Sequence, residues 1–362
     1  MKVLVIEDSA LMRRELRKIL GKIPDAEVQT ARNGADGLEE IEKFDPDVVT
    51  LDINMPVMDG LTCLSHIMTR FPRPVVMVSS LTEKGALATF EALEMGAVDY
   101  IPKPDGTVSL NAQVMERELI AKIHAAMRSR PARNRAPSAL MRRTATTLTR
   151  RRSAPATRPA PTVARQRAEG LILIGSSTGG PSVVEDIIRS LPLDLPWPIV
   201  VAQHMPPQFT NTYARRMNDV CDLTVIEVDR PRAVEPGTVY IGRGGSDVVL
   251  TRRAGRLTVL SMPPDASVPW HPSVDRMVDT ALEHVDPANM VGVLLTGMGD
   301  DGARAMTDLK GRGGRTIAES EETAIVYGMP AELVAQGGAT EVLPNPRIAR
   351  RVRDWCMTRA SF

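Results

Sequence analysis

Ser177 lies in the run Gly175-Ser176-Ser177-Thr178-Gly179-Gly180-Pro181, directly after an apolar stretch and before a helical one. The run satisfies G-x-S-x-G, the strand-to-helix turn that presents a nucleophilic serine in many α/β-hydrolases. A glycine-rich turn also suits an anion at a helix N-terminus, or a simple reversal of the chain, and the run alone leaves these readings open. A serine nucleophile needs a base. Of the five histidines, His66, His124 and His284 lie in helix-like segments without chemical neighbours. His204, in VVAQHMPP, stands just past an apolar stretch, where its imidazole could take the proton of Ser177. His271, in PWHPSVD, is its rival. Asp300 and Asp301, in LLTGMGDDGA, also follow an apolar stretch. A carboxylate there could orient the imidazole and stabilise its charged form. The chain order Ser, His, Asp differs from the Ser, Asp, His of α/β-hydrolases, so the short match does not imply that fold.

A second group of residues, near the start of the chain, suits different chemistry. Glu7 and Asp8 follow one apolar run and Asp52 follows another. In an open parallel sheet the carboxyl ends of the strands meet in one crevice. Carboxylates gathered there repel one another unless a divalent ion sits among them. Mg²⁺ fits, because it takes one or two carboxylates and keeps water and phosphate oxygens as its other ligands. Asp52 would then be the nucleophile in a phosphoryl transfer. Lys103, in IPKP, can pair with Asp52 or with a phosphoryl group, and Ser79, in MVSSLT, brings a hydroxyl from a further strand end.

These residues need strand ends to stand on, and the patterning supplies them. Residues 3–6, 48–51, 75–78 and 97–101 read as strands, with helical patterns such as 9–20 and 34–43 between them. Apolar strands separated by helices imply a parallel sheet covered on both faces. A second pattern of the same kind opens with LILIG at Leu171. Its further strands are expected at 199–202, 238–241 and 291–295, and a helix at 303–310. The segment between the two patterns is different. No Asp or Glu occurs between Glu118 and Glu169, and Arg, Pro, Ala, Ser and Thr dominate. Without large apolar residues at regular spacing no core forms, so the segment reads as a flexible linker. It is a plain solvated tether, or a contact for an acidic partner. The expected fold class is α/β, with two doubly wound parallel-sheet domains at 1–126 and 169–358 and the linker at 127–168.

Composition narrows the function classes. A net charge of +1 gives no global pull toward nucleic acid or membrane. Aromatic residues make up 3%, too few for a base-stacking surface. The three cysteines are far apart and form no CxxC, against a zinc cluster or disulfide framework and in favour of a reducing compartment. The opening MKVLVIEDSALMRR lacks the longer apolar core of a signal peptide. No run of about 18 apolar residues is present, so membrane insertion is not expected. The expectation is a soluble, cytoplasmic monomer that binds no nucleic acid. No helix-turn-helix pattern follows the basic segment, which weighs against a DNA-binding output.

Residues 1–125 resemble a response-regulator receiver domain. The resemblance rests on Glu7–Asp8, the D-x-x-M-P-x-M-D-G run at 52–60, Ser79 and Lys103–Pro104. It implies phosphorylation at Asp52, metal ligation by Glu7, Asp8, Asp52 and the backbone carbonyl of Asn54, and a switch built from Ser79, Tyr100 and Lys103. The second half resembles the catalytic domain of the chemotaxis protein-glutamate methylesterases (CheB type) through LIGSSTGG, QHMPP, PSVD, LLTGMGDDGA, GGRTIAESEETAIVYGMP and a late GGA. That resemblance implies a flavodoxin-like receiver followed by a Rossmann-like methylesterase domain. It assigns Ser177 as nucleophile, His204 as base and Asp301 as the orienting acid, with Thr178 and the amide of Met298 supporting the site or the oxyanion. It further implies hydrolysis of glutamate γ-methyl esters on methyl-accepting chemotaxis receptors, deamidation of selected receptor glutamines, and phosphorylation by a CheA-type histidine kinase. Mg²⁺ is expected in the receiver and no cofactor in the catalytic half. One departure stands out: the family often has H-R-P-S-V-D where this chain has Trp270-His271-Pro272-Ser273-Val274-Asp275. The rim of the site is expected to differ there, and substrate preference with it.

Overall fold

The alternation of apolar strands and amphipathic helices folds as two parallel sheets. The computed structural model describes residues 1–103, 112–129 and 170–357. Pro104 and nearly all of the expected linker lie outside the described residues. The first domain runs β1 (Lys2–Ile6), α1 (Ala10–Leu20), β2 (Glu27–Ala31), α2 (Gly34–Phe44), β3 (Val48–Asp52), α3 (Gly60–Arg70), β4 (Val75–Ser79), α4 (Glu83–Glu94), β5 (Asp99–Pro102) and α5 (Ala112–Arg128). Its strands are parallel in the order β2-β1-β3-β4-β5. β3 and β4 are buried along their whole length, because helices cover both faces. The order reverses beside β1, so the crevice opens at the carboxyl ends of β1 and β3.

The second domain begins with β6 (Leu171–Ser176), α6 (Gly180–Arg189), β7 (Ile199–Gln203), α7 (Pro207–Val220), β8 (Thr224–Glu227), β9 (Arg232–Ala233) and β10 (Thr238–Ile241). It continues with β11 (Asp247–Arg253), β12 (Arg256–Met262), α8 (Val274–Leu282), β13 (Met290–Leu294), α9 (Ala303–Gly311), β14 (Arg315–Glu319), α10 (Met329–Ala335), β15 (Glu341–Leu343) and α11 (Asn345–Met357). Seven strands form a parallel sheet in the order β15-β14-β13-β6-β7-β10-β8. The chain passes from β6 to β7 on one side and later returns to β13 on the other, which places the switch point between β13 and β6. The sequence reading did not resolve a separate antiparallel sheet, β11-β12-β9. Ala254 and Gly255, both at positive φ, make the tight turn joining β11 to β12.

The two domains meet face to face. α4 and the end of β5 lie against α6 and α7. Tyr100 stacks on Phe209, with ring centroids 4.7 Å apart, and Phe90 packs on Phe209 and Tyr213 at 6.2 and 5.3 Å. Ion pairs Glu83–Arg215 and Glu94–Arg216 edge this aromatic patch, and Arg216 also reaches Glu185 on α6.

Candidate functional site

Three turns at the carboxyl edge of the seven-stranded sheet carry Ser177, His204 and Asp301. They follow β6, β7 and β13, the three adjacent strands at the switch point. Ser177 opens the turn into α6. Gly179 holds that turn at φ +74°, and a Cβ there would stand 2.7 Å from Ile325 Cδ1, so only glycine fits. With glycine as its N-cap, α6 has no side chain bonded over its first N–H groups. The positive end of the helix therefore faces the serine turn, a setting that favours developing negative charge.

Gln203, the last residue of β7, ties the serine turn to the histidine turn. Its Oε1 accepts from Ser176 Oγ at 2.6 Å, and its Nε2 donates to the carbonyls of Ser177 and His204 at 2.9 and 3.1 Å. His204 Nε2 lies 2.8 Å from Asp301 Oδ2. Its Nδ1 is buried and has no hydrogen-bond partner among the described residues, which leaves that nitrogen available to the serine. Asp301 is buried and also accepts from Ser273 Oγ and the amides of Val274 and Asp275, at 3.1, 2.7 and 2.9 Å. Burial by itself would raise its carboxyl; the bonds from His204 and the two amides outweigh that and hold it below the usual range. Asp300 is exposed, so of the two neighbours it is Asp301 that meets the histidine.

His271, the rival base, is engaged elsewhere. Its Nδ1 lies 2.9 Å from Asp247 Oδ1, on the far side of the strap that joins β12 to α8. Thr178 is buried, and its carbonyl accepts from Thr296 Oγ1 at 2.9 Å. Glu319, fully buried, accepts the Thr296 amide at 2.9 Å and so fixes the start of the turn that holds Met298 and Asp301. Met298 lines a cavity of about 560 Å³ together with Gly299, Asp300, Tyr327 and Arg128 of α5. The first domain thus forms a wall beside the turn that carries Asp301. Ile325, which packs on Gly179, is also partly buried against the apolar cluster of that first domain.

In the first domain, Glu7, Asp8 and Asp52 converge with one oxygen each, all within 4.8 Å of one another. Lys103 Nζ reaches Glu7 Oε1 at 3.0 Å and Asp52 Oδ2 at 2.9 Å. Burial, reinforced by the charge of Asp52, pushes the Glu7 carboxyl up to about 7. Burial also raises Asp52. Glu7 Oε2 is buried without a hydrogen-bond partner among the described residues. Hard carboxylate oxygens, one of them orphaned, fit a divalent cation such as Mg²⁺. The Asn54 amide faces Asp52 Oδ1 at 3.4 Å. Ser79 Oγ turns away from Asp52 and donates to the Gly85 carbonyl at 3.2 Å. Tyr100 is buried between Phe209 and the Lys122 ammonium, which lies 5.0 Å from its ring.

With this geometry in place, comparison with known proteins is decisive. The family model described as CheB methylesterase matches residues 172–352, and that of the response regulator receiver domain matches residues 3–115. Protein-glutamate methylesterase/protein-glutamine glutaminase 3 of Rhodospirillum rubrum is 53% identical over 98% of this chain and 96% of its own length. Number 2 of Rhodopseudomonas palustris is 51% identical over 98% of both. The chain belongs to the CheB methylesterase family. Among solved structures, the CheB methylesterase catalytic domain of Thermotoga maritima is similar at 39% identity and TM-score 0.49, covering 51% of this chain and 97% of that one.

The CheB resemblance singled out Ser177, His204 and Asp301, and the fold brings their turns together. The sequence reading missed Gln203, Glu319 and Asp247, and it placed Trp270 at the rim of the site without its histidine contact. Gln203 carried a legible signal, a polar residue closing an otherwise apolar strand. Asp247 and Trp270 act across the strap before α8, and nothing local in sequence points to their partners.

Proposed function

We propose that the chain is a phosphorylation-activated protein-glutamate methylesterase of chemotaxis receptors, with a second activity as a receptor glutamine deamidase. A receiver at 1–126 is joined by the basic connector at 127–168 to a catalytic domain at 169–358. Ser177 attacks the γ-carbonyl of a methylated glutamate while His204 Nδ1 takes its proton. Asp301 keeps the other nitrogen protonated and stabilises the imidazolium that forms. The amides at the head of α6, with Thr178 and the Met298 amide, stabilise the oxyanion, each donor contributing about 3–4 kcal/mol. Return of the proton from His204 releases methanol, and water then hydrolyses the acyl-enzyme. A glutamine follows the same course with ammonia leaving.

Asp52 accepts the phosphoryl group from a CheA-type histidine kinase. Mg²⁺ held by Glu7, Asp8, Asp52 and the Asn54 carbonyl would screen the negative charge on the carboxylate and phosphoryl oxygens. Lys103 pairs with the acceptor, and Ser79 and Tyr100 respond. In the unphosphorylated state the receiver restrains the catalytic domain by packing over its cleft. Support comes from the stack of Tyr100 on Phe209, because Phe209 lies on α7, the helix that directly follows the His204 turn.

The observation that carries the reading is the 2.8 Å His204–Asp301 pair set beside the serine turn at the sheet's switch point. Methanol release from methyl-labelled receptor membranes tests it. Wild type should release methanol, and Ser177→Ala and His204→Gln should not. Undiminished release by Ser177→Ala would overturn the nucleophile.

A further inference from the structure

His204 has a second neighbour besides Asp301. The indole of Trp270 lies parallel to its imidazole, with an interplanar angle of 2° and centroids 5.8 Å apart. That is an offset stack, the arrangement favoured by the ring quadrupoles. The indole also meets the turn that bears Asp301. Gly299 has φ +89°, and a Cβ there would stand 2.8 Å from Trp270 Cζ2. Glycine at this position lets the backbone close on the indole. Trp270 therefore touches both the base and the loop carrying the acid.

The strap that carries Trp270 is anchored from below. Asp247 is fully buried and accepts from the Ser273 amide at 3.0 Å, the Asp265 amide at 3.2 Å and Arg276 Nη1 at 2.6 Å, with His271 Nδ1 at 2.9 Å. One carboxylate thus holds the strap at residues 265, 271 and 273 and ties it to Arg276 of α8. A tryptophan kept this way has little freedom to swing away from the histidine.

We propose that Trp270 is the positioning residue of the general base. The indole fixes the plane of the His204 ring, so that Nε2 stays on Asp301 Oδ2 and Nδ1 stays free for the serine proton. Its π face also favours the imidazolium formed when the serine proton is taken, since a cation over an indole is attracted by the ring quadrupole. The ring makes no bond to substrate in this role, so its contribution falls on the chemical step. The proposal rests on His204 being the base.

The test compares full-length wild type with Trp270→Ala, Trp270→Phe and His204→Gln, all phosphorylated, on methyl-labelled receptor membranes. Trp270→Ala should lower kcat roughly tenfold, about 1.4 kcal/mol at the barrier, with KM within about twofold. Trp270→Phe keeps a stacking face and should recover most of the loss. A rise in KM at unchanged kcat would overturn the proposal and make Trp270 a substrate contact. So would a Phe variant as slow as the Ala variant. A His204→Gln enzyme that still turned over would instead sink the assignment of the base itself. A spectroscopic readout stands apart from turnover and needs no Trp270 variant. Contact with an imidazole alters the emission of an indole, so the tryptophan emission spectra of wild type and His204→Gln should differ at a single pH. Identical emission spectra in the two proteins would contradict the stack.

Discussion

Asp301 takes four hydrogen bonds, and this fixes how the triad titrates. With its carboxyl held below the usual range, it stays ionised wherever an imidazole titrates. It therefore adds no ionisation of its own to the acid limb of the rate profile. Asp301→Asn puts an amide where three protein donors and His204 expect an acceptor, and the imidazole loses its tautomer. Turnover should fall by roughly 10⁴, as for other triads whose acid becomes an amide, measured as kcat for methanol release. A loss under about tenfold would mean that Asp301 is only structural. At the receiver, Asp52→Asn should abolish stimulation by a small-molecule phosphodonor, and chelating Mg²⁺ should do the same to wild type. Stimulation that survives either treatment would remove Asp52 or the metal from the account. Ser177 and the carboxylates could be proposed from sequence because each lies within a few residues of a strand end. The engagement of His271 by Asp247 could not, because 24 residues and a whole hairpin separate them.

Among the elements, the strap between β12 and α8 depends on Asp247. Burial alone would raise this carboxyl; bonds from His271, the Ser273 amide, Arg276 and the Asp265 amide outweigh it and hold the group below its ordinary range. A carboxyl whose folded pKa is depressed contributes stability that is fully present above the unfolded value. That contribution is lost as pH falls through the folded value. Asp247→Asn should therefore cost about 3 kcal/mol at pH 7. The deficit in Tm should shrink as pH falls below the ordinary carboxylate range toward the depressed folded value of the wild-type group. A deficit of constant size across that range would show that the charge is not what holds the strap. The parallel strands were readable because burial on both faces makes them uniformly apolar, as at Val48–Asp52 and Val75–Ser79. β2, Glu-Val-Gln-Thr-Ala, escaped because an edge strand is only half covered and keeps its polar residues. The β11–β12 hairpin escaped because its arms end in Arg252, Arg253 and Arg256. Their charge hides the alternation.

For the whole molecule, the contact between the domains is a compact aromatic patch edged by charge. Tyr100 of β5 stacks on Phe209 of α7, and α7 begins three residues after His204. Phosphorylation that moves Tyr100 would loosen a helix adjoining the base as well as shift a wall of the cleft. A tenfold shift in the docked population needs only about 1.4 kcal/mol. Removing the two ion pairs of Arg216 lies in that range: Arg216→Glu sets like charges against Glu94 and Glu185. It should raise turnover of the unphosphorylated enzyme about three- to tenfold. Glu94→Arg in the same chain should restore part of the restraint. None of this was legible in the sequence beyond the order of the domains. The interface is built from residues such as Phe90 and Phe209, which read as ordinary core positions of their own domains.

The most direct test is the initial rate of methanol release from methyl-labelled receptor membranes by full-length enzyme, with and without phosphodonor and Mg²⁺. Wild type should be slow without phosphodonor and fast with it. Arg216→Glu should be fast without it, and Ser177→Ala silent throughout. A wild-type rate that ignores phosphodonor, or an Arg216→Glu enzyme as slow as unphosphorylated wild type, would contradict a hydrolase restrained by its receiver.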